Sequence, residues 1–234
     1  MIKRNKKIIA VIPARGGSKR IKKKNIKDFC GKPMITWPLE VLQKSNMIDE
    51  IIISTDSQEI ASICESRGVK IPFFRPSNLA DDFTGTAEVV KHATEWYLEN
   101  IGNTDLVLTV YPTAIFLSNE DIKNAYDVML KNSSEIVFTG TEYPYPIQRA
   151  VYLNDDNKVS MFEPENILTR SQDLKKSYHD AGQFYLSKKS AVINQISALS
   201  SFSSMLILPR ERVVDIDTEE DFLIAERLFK LSIL

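Results

Sequence analysis

A glycine-rich loop crowded with cationic side chains is the first feature of this sequence that could perform chemistry. Residues 14–25 read ARGGSKRIKKKN and directly follow an apolar run typical of a buried strand. The adjacent Gly16 and Gly17 allow the backbone to approach a ligand closely with its N–H groups turned inward. Cations that could offset the charge of a triphosphate stand beside them: Arg15, Lys19 and Lys24. The loop matches neither GxxxxGK[ST] nor GxGxxG, and an exposed basic turn is the alternative interpretation.

Two carboxylates near the other end of the chain could hold a metal ion. Asp215 and Asp217 lie in residues 211–226, which carry seven acidic residues and one basic residue. A solvated acidic segment before a helix is the alternative interpretation. If the two segments meet in the fold, a metal held by the carboxylates would neutralise phosphates held by the loop.

Composition limits the class of protein. With 234 residues, 43% of them hydrophobic, the chain can bury the core of one large domain. Twelve of the thirty Lys and Arg residues lie in residues 1–32, but the net charge of −1 and the absence of interleaved aromatic residues argue against nucleic-acid binding. Two cysteines and two histidines make neither a disulfide framework nor an ordinary zinc cluster. No apolar run suits a signal peptide or a membrane span, which predicts a soluble cytoplasmic protein.

Strand and helix signals alternate along the chain. The predicted strands are Lys7–Ile12, Glu50–Thr55, Val69–Phe74, Asp105–Val110 and Glu135–Thr139. The predicted helices are Pro33–Gln43, Gln58–Arg67, Thr86–Glu99, Ser118–Leu130 and Thr218–Leu231. This alternation predicts an α/β fold with a mostly parallel twisted sheet and helices on both faces. Residues 1–234 are expected to form a single domain, in which about residues 141–180 form an inserted arm that covers the site or reaches a partner subunit.

Motifs spread over most of the chain resemble those of a known family. The loop ARGGSKRI followed by KN, the RPxxLA pattern of residues 75–80 and the DIDT of residues 215–218 occur in the family's order. They resemble the cytidylyltransferases that activate nonulosonic acids, which include CMP-sialic acid synthetases and pseudaminic acid cytidylyltransferases. PIQRA, RSQDL and YHDAGQFY resemble the pseudaminic acid branch, whereas sialic acid synthetases usually carry LQPTSPLR in place of VYPTAIFL at residues 110–117.

The resemblance implies a Rossmann-like nucleotidyltransferase fold and a reaction. CMP would pass from CTP to the anomeric hydroxyl of pseudaminic acid, with release of pyrophosphate. The same reaction on N-acetylneuraminic or legionaminic acid is one alternative, and a non-catalytic nucleotide-binding relative is another. A homodimer is implied by the resemblance alone.

The resemblance also implies site residues. Catalysis would rest on Arg15, Lys19, Asp215 and Asp217. CTP would contact Ala14, Arg15, Gly16, Gly17, Ser18, Lys19, Lys24, Asn25, Arg75, Thr84 and Thr86. The sugar would contact Tyr111, Thr113, Gln148, Arg170, His179, Asp180 and Gln183, although His179 could equally be a structural, hydrogen-bonded histidine. Mg²⁺ would lie on Asp215 and Asp217, because alternate residues of a strand share one face and a hard cation prefers carboxylate oxygens.

Overall fold

The apolar β-branched runs form the centre of a sheet. The computed structural model describes residues 6–81 and 83–232 of the chain. Within them the strands are β1 (Ile8–Pro13), β2 (Asp28–Phe29), β3 (Lys32–Pro33), β4 (Glu50–Ser54), β5 (Leu106–Val110), β6 (Ile136–Glu142), β7 (Val151–Leu153), β8 (Val159–Met161), β9 (Tyr178–Lys188) and β10 (Ser203–Ile207). The α-helices are α1 (Thr36–Gln43), α2 (Gln58–Ser66), α3 (Thr86–Asn100), α4 (Asn119–Asn132), α5 (Lys189–Ile193) and α6 (Glu219–Ser232).

The main sheet is mostly parallel. Its strand order within the described residues is β10-β6-β9-β5-β1-β4. β1 pairs in parallel with both β4 and β5, and β10 pairs in parallel with β6. β9 is antiparallel to its two neighbours, β5 and β6. The short strands β2–β3 and β7–β8 form separate antiparallel pairs.

Helices cover both faces of this sheet. Ile8, Ala10 and Ile12 of β1 pack in one apolar cluster with residues of α1, α2 and α4. Ile9 and Val11 point to the opposite face, where they pack with residues of α3. This alternation follows from the two-residue period of a strand, and both sets are fully buried. The predicted fold class is confirmed.

Side-chain caps hold the starts of three helices. Ser118 and Asp121 form a reciprocal capping box at the start of α4, and Thr218 and Asp221 bond in the same way at the start of α6. Ser57 caps α2 by accepting a hydrogen bond from Ile60 N. No helix in the described part of the chain is both long and apolar enough to cross a bilayer.

Three predicted features differ in the structure. Val69–Phe74 forms no strand, and one isolated bridge from Thr55 to Phe74 is its pairing with the sheet, since Pro72 removes a ladder donor. α1 begins at Thr36 instead of Pro33, which puts Pro38 in the first turn, where its missing N–H costs nothing. The predicted arm overlaps the start of β9, so the segment outside the main sheet is residues 143–177 and contains the β7–β8 hairpin.

Candidate active site

A cleft of about 480 Å³ lies where the chain leaves β1 and β5 at their carboxyl ends. The loop after β1, the segment before α3 and the segment after β5 form its walls. Most of the residues predicted to bind CTP line it, namely Arg15, Ser18, Lys19, Lys24, Asn25, Arg75, Thr84 and Thr86. Tyr111 and Thr113, predicted to contact the sugar, line it as well. The position agrees with the general rule that ligands of open α/β sheets bind beyond the carboxyl ends of the strands.

The basic loop is anchored by its own polar groups. Ala14 N donates to Ser54 O at 2.9 Å, and Gly16 N donates to the Asp56 carboxylate at 2.8 Å. The buried Asn25 donates from its amide nitrogen to Arg15 O at 2.9 Å. Ala14, Gly16 and Asn25 therefore hold the shape of the loop, four of whose cationic residues line the cleft, namely Arg15, Lys19, Arg20 and Lys24.

The two glycines of the loop have different surroundings. A β-carbon on Gly16 would lie 2.9 Å from Ser57 Cβ, closer than real contacts allow. A β-carbon on Gly17 would meet no atom within 4 Å. Close approach to the start of α2 thus requires glycine at position 16, and packing places no such demand on position 17.

Arg75 is a buried cation in the wall of the cleft. Arg75 is 7% exposed, and its guanidinium donates to Ser54 Oγ at 3.1 Å and to Ser54 O at 2.5 Å. Burial lowers the pKa of Arg75, but an arginine starts so high that it stays charged at neutral pH. Such a charge in a place of reduced dielectric attracts an anion more strongly than an exposed one does.

Asp81 organises the opposite rim of the cleft and was missed by the sequence reasoning. Its carboxylate accepts hydrogen bonds from the backbone of Phe83 and Thr84, at 3.0 and 2.7 Å. Bonds to Thr84 hold the pKa of Asp81 below its ordinary value. Its carbonyl oxygen accepts from Arg15 Nη1 at 2.9 Å. The signal that could have identified it is its place directly after the RPxxLA pattern.

The basic loop and the acidic segment meet, as the sequence predicts. Asp217 Oδ1 lies 2.7 Å from Arg20 Nη2 and 3.2 Å from Lys24 Nζ. Lys24 Nζ also donates to Ile216 O at 2.5 Å. Arg20, which lines the cleft, was missed by the sequence reasoning although it follows Lys19 directly.

The acidic residues alternate without forming a strand. Residues 213–217 have no strand pairing, yet Ile216 is fully buried while Asp215 is exposed and Asp217 is half-buried. Arg212 fixes this segment, because its guanidinium donates to Phe116 O at 2.8 Å and pairs with the buried Asp121. The predicted reason for a shared metal site, two carboxylates on one face of a strand, is therefore wrong, and the assignment of Mg²⁺ to Asp215 and Asp217 stays a prediction.

The donor set suits a cation that takes most of its ligands from elsewhere. Partial desolvation raises the pKa of Asp215, and the negative charge of the nearby Asp217 raises that pKa further. Among residues 6–81 and 83–232, no group of three or more His, Cys, Asp and Glu side chains could hold a metal ion by itself. Mg²⁺ commonly binds one or two carboxylates and completes its shell with phosphate oxygens and water. Asp215 and Asp217 beside a cleft lined by cations fit that pattern.

Two of the predicted sugar-binding residues lie in the arm. Gln148 donates from its amide to Lys175 O at 2.9 Å, and Arg170 is paired with Asp173 at 2.8 Å. Neither lines the cleft described above. The structure gives both residues partners within the arm.

The other predicted sugar-binding residues lie on β9. His179 has its ring against Tyr143, with centroids 4.8 Å apart, and its Nδ1 is 2.9 Å from Asp180 O. Gln183 is 3% exposed and donates to Arg212 O. The Asp180 carboxylate accepts hydrogen bonds from Gly182 N at 2.8 Å and from the Tyr185 hydroxyl.

A second cavity of about 300 Å³ adjoins the cleft, and Thr86 and Tyr111 line both spaces. The Tyr111 hydroxyl donates to Thr86 Oγ1 at 3.3 Å, on the boundary between them. Hydroxyl-bearing residues line the cavity, namely Thr109, Tyr185 and Ser187, and its apolar lining residues include Ala87, Val90, Ala191, Val192, Ile196 and Ala198. Tyr185, at the end of the YHDAGQFY segment, was not singled out from the sequence.

Comparison with known families identifies the class of enzyme. The sequence profile described as cytidylyltransferase matches residues 9–228. The chain belongs to this family. It is therefore a nucleotidyltransferase that uses CTP, and the cleft formed by the basic loop is its candidate active site.

Individual relatives agree with this assignment. The chain is 42% identical to the pseudaminic acid cytidylyltransferase of Campylobacter jejuni, over 97% of both chains. It is 31% identical to the CMP-N,N'-diacetyllegionaminic acid synthase of the same organism, over 96% of both chains. Among solved structures, CMP:2-keto-3-deoxy-manno-octonic acid synthetase complexed with CTP superposes with a TM-score of 0.68 at 15% identity, covering 97% of this chain and 99% of that one. At 15% identity, the similarity to this last structure shows the fold alone.

Proposed function

We propose that this cytidylyltransferase transfers CMP from CTP to the anomeric hydroxyl of pseudaminic acid and releases pyrophosphate. One observation supports this type of reaction above all. Asp217 of the acidic segment contacts Arg20 and Lys24 of the basic loop, and both of these cations line the cleft. The choice of sugar is supported by the higher identity to the pseudaminic acid enzyme, 42% against 31% for the legionaminic acid enzyme. The motifs PIQRA, RSQDL and YHDAGQFY favour the same branch.

The triphosphate belongs against the basic loop. Arg15, Lys19 and Lys24 would bind its oxygens by charge-assisted hydrogen bonds, and Arg20 adds a fourth cation to the same wall. The remainder of the nucleotide would lie between Arg75 and the segment that carries Thr84 and Thr86. In the reaction the anomeric oxygen loses its proton and bonds to the α-phosphorus, while the bond from that phosphorus to the pyrophosphate oxygen breaks. Catalysis of such a displacement rests mainly on positioning and charge neutralisation.

Mg²⁺ is the proposed cofactor. Asp215 and Asp217 would hold it next to the phosphates. When bound, the ion would neutralise phosphate charge and stabilise the charge that develops on pyrophosphate. Arg20 and Lys24 would then be released from Asp217 and redirected to the triphosphate.

The acceptor sugar would occupy the second cavity. That space borders the cleft at Thr86 and Tyr111, so a sugar within it lies beside the nucleotide. A lining that combines hydroxyl-bearing and apolar residues suits a sugar acid that carries both hydroxyl and acyl or methyl groups. The polar side chains would orient the sugar and the apolar ones would bury its acyl groups.

The arm is the proposed dimer contact. It exposes large apolar side chains that a monomer would leave in water, among them Tyr145 at 80% and Leu168 at 92% exposure. A second copy of the chain is the partner proposed for this surface. Light scattering at micromolar concentration should give twice the mass of the chain, and a monomer would contradict the proposal.

Because the reaction consumes CTP, we place the enzyme in the cytoplasm, where CTP is made.

The transfer itself can be followed by phosphorus NMR. CTP, Mg²⁺ and pseudaminic acid should yield pyrophosphate and one phosphodiester signal of a CMP-sugar in equal amounts. Formation of CDP or free CMP without a phosphodiester signal would contradict the proposed reaction.

A further inference from the structure

We propose that Asp180 is a positioning residue that acts through Tyr185, fixing the tyrosine hydroxyl in the wall of the acceptor cavity, and that Asp180 does not itself bind the sugar. The proposal rests on the proposed function, because it assigns roles within the acceptor site.

The contacts of the Asp180 carboxylate carry the first step. One oxygen, Oδ2, accepts the hydroxyl of Tyr185, and the other, Oδ1, accepts Gly182 N at 2.8 Å. Both oxygens are thus directed at the chain's own groups. Asp180 itself lines neither the cleft nor the second cavity, whereas Tyr185 lines the second cavity, so the bond to Tyr185 connects this carboxylate to the acceptor site.

The backbone of β9 is built to make this contact. Asp180 and Tyr185 are five residues apart, and an odd separation along a regular strand puts side chains on opposite faces. The strand is irregular between them, because Gly182 has φ +60° and the pairing with β6 shifts register between Phe138 and Gly140. A bulge of this kind re-aims side chains, and here it brings the carboxylate to the tyrosine hydroxyl.

The ring of Tyr185 is held in the lining of the acceptor cavity, next to Tyr111, which lies on the boundary with the cleft. It stacks on Phe138 with centroids 6.2 Å apart and meets Tyr111 edge-on at 5.9 Å. Burial, more than any other cause, raises the pKa of Tyr185 far above its ordinary value, so the hydroxyl stays protonated and donates to Asp180. A hydroxyl that donates one bond can still accept another, and the cavity is lined by this residue.

A residue that acts only by holding a neighbouring hydroxyl in place can be replaced by another side chain that hydrogen-bonds to that hydroxyl. Asp180→Asn removes the charge but keeps one carbonyl oxygen to accept Gly182 N, and its amide N–H can donate to the Tyr185 oxygen, so both contacts can be kept. Asp180→Ala removes the acceptor altogether, and Tyr185→Phe removes the donor while keeping the ring. Asp127→Ala, which changes an exposed aspartate on α4, is the matched control.

The test is the steady-state KM for the acceptor sugar at saturating CTP, with calorimetric binding of the sugar in the presence of CMP as a readout independent of turnover. Asp180→Ala and Tyr185→Phe should each raise KM about tenfold, with kcat and CTP affinity little changed. Asp180→Asn should stay within about twofold of the parent protein, and the Asp180→Ala/Tyr185→Phe double variant should be no worse than either single one.

Three outcomes would overturn the proposal: Asp180→Asn as impaired as Asp180→Ala, a double variant whose effects multiply, or an unchanged KM in Tyr185→Phe. If Asp180→Ala does not fold, Asp180→Asn and Tyr185→Phe still decide between the two roles. Failure of the proposed function looks different, since the unaltered protein would then neither turn over nor bind pseudaminic acid.

Discussion

Arg20 Nη2 lies 2.7 Å from Asp217 Oδ1, and this contact joins residues 197 positions apart in the sequence. Lys24 Nζ lies 3.2 Å from the same oxygen. The cations of the loop and the carboxylate of the acidic segment therefore balance each other. A triphosphate and a divalent cation would offer both sides a stronger partner. The contact joins the two segments to which the triphosphate and the metal ion are assigned.

Asp217 should be needed for turnover far more than for folding. Asp217→Asn removes the charge on which both the metal site and the loop cations depend, so kcat should fall on the order of 10²-fold or more while the unfolding midpoint shifts little. Glu219→Gln is the control, because Glu219 pairs with Lys27 outside the cleft. Assays of pyrophosphate release and urea unfolding on both variants measure the two effects. An Asp217→Asn protein with normal kcat would remove this residue from the metal role.

Lys19 should contribute to triphosphate binding through its charge. Lys19→Ala should weaken CTP binding about tenfold at low ionic strength, and added salt should shrink the difference because it screens the lost interaction. Lys22→Ala, three residues along the same loop and outside the lining of the cleft, should change CTP binding little. Calorimetric titration of CTP at two salt concentrations makes the comparison. Equal CTP affinities of the two variants would contradict this role and would favour the alternative interpretation of the loop as an exposed basic turn.

The two loop glycines should respond in opposite ways to alanine. Gly16→Ala places a methyl group 2.9 Å from Ser57 Cβ, so the loop or the start of α2 must shift, at a cost of about 1–3 kcal/mol in unfolding free energy. Gly17→Ala meets open space and should change the unfolding free energy by about 0.5 kcal/mol or less. Urea unfolding of both variants tests this. A Gly17→Ala protein destabilised as much as Gly16→Ala would contradict the packing described for the loop.

Cys64 should make the protein less stable in alkali. The thiol is fully buried between α2 and the sheet, and this burial raises its pKa from 9.0 to about 11. Between those values the unfolded chain loses the proton while the folded chain keeps it, so stability falls as pH rises through that window. The fall attributable to Cys64 should be about 1–3 kcal/mol. Urea unfolding at pH 8.5 and pH 10.5 should show a smaller fall for Cys64→Ala, and an identical fall would contradict the assignment.

Sequence reasoning succeeded where local chemistry determines the structure. The apolar run of β1 is readable over a few residues and is confirmed as a buried strand, and the predicted helix start at Ser118 is confirmed by the capping pair Ser118–Asp121. The proximity of the loop and the carboxylates could be predicted because the loop is suited to bind phosphates and the carboxylates are suited to bind a metal ion that neutralises those phosphates. The roles assigned to single residues of the site stay predictions.

Sequence reasoning failed where distant parts of the chain stabilise an element. β9 has the mixed composition YHDAGQFYLSK, without a continuous apolar run, and it forms a strand because β5 and β6 satisfy its backbone on both edges. For the same reason the contact of Asp180 with Tyr185 could not be foreseen, since it depends on the bulge at Gly182. Arg20 was missed because a run of six cations in ten residues does not reveal which of them faces the cleft.

The most direct test is pyrophosphate release from CTP and Mg²⁺ with pseudaminic acid and N-acetylneuraminic acid supplied in parallel. Release that depends on both CTP and pseudaminic acid, with N-acetylneuraminic acid turned over far more slowly, is the predicted result. Release with N-acetylneuraminic acid alone would keep the chemistry of the cleft and contradict the choice of sugar. Absence of release with either sugar, in a protein that still binds CTP, would contradict the proposed transfer to these acceptors.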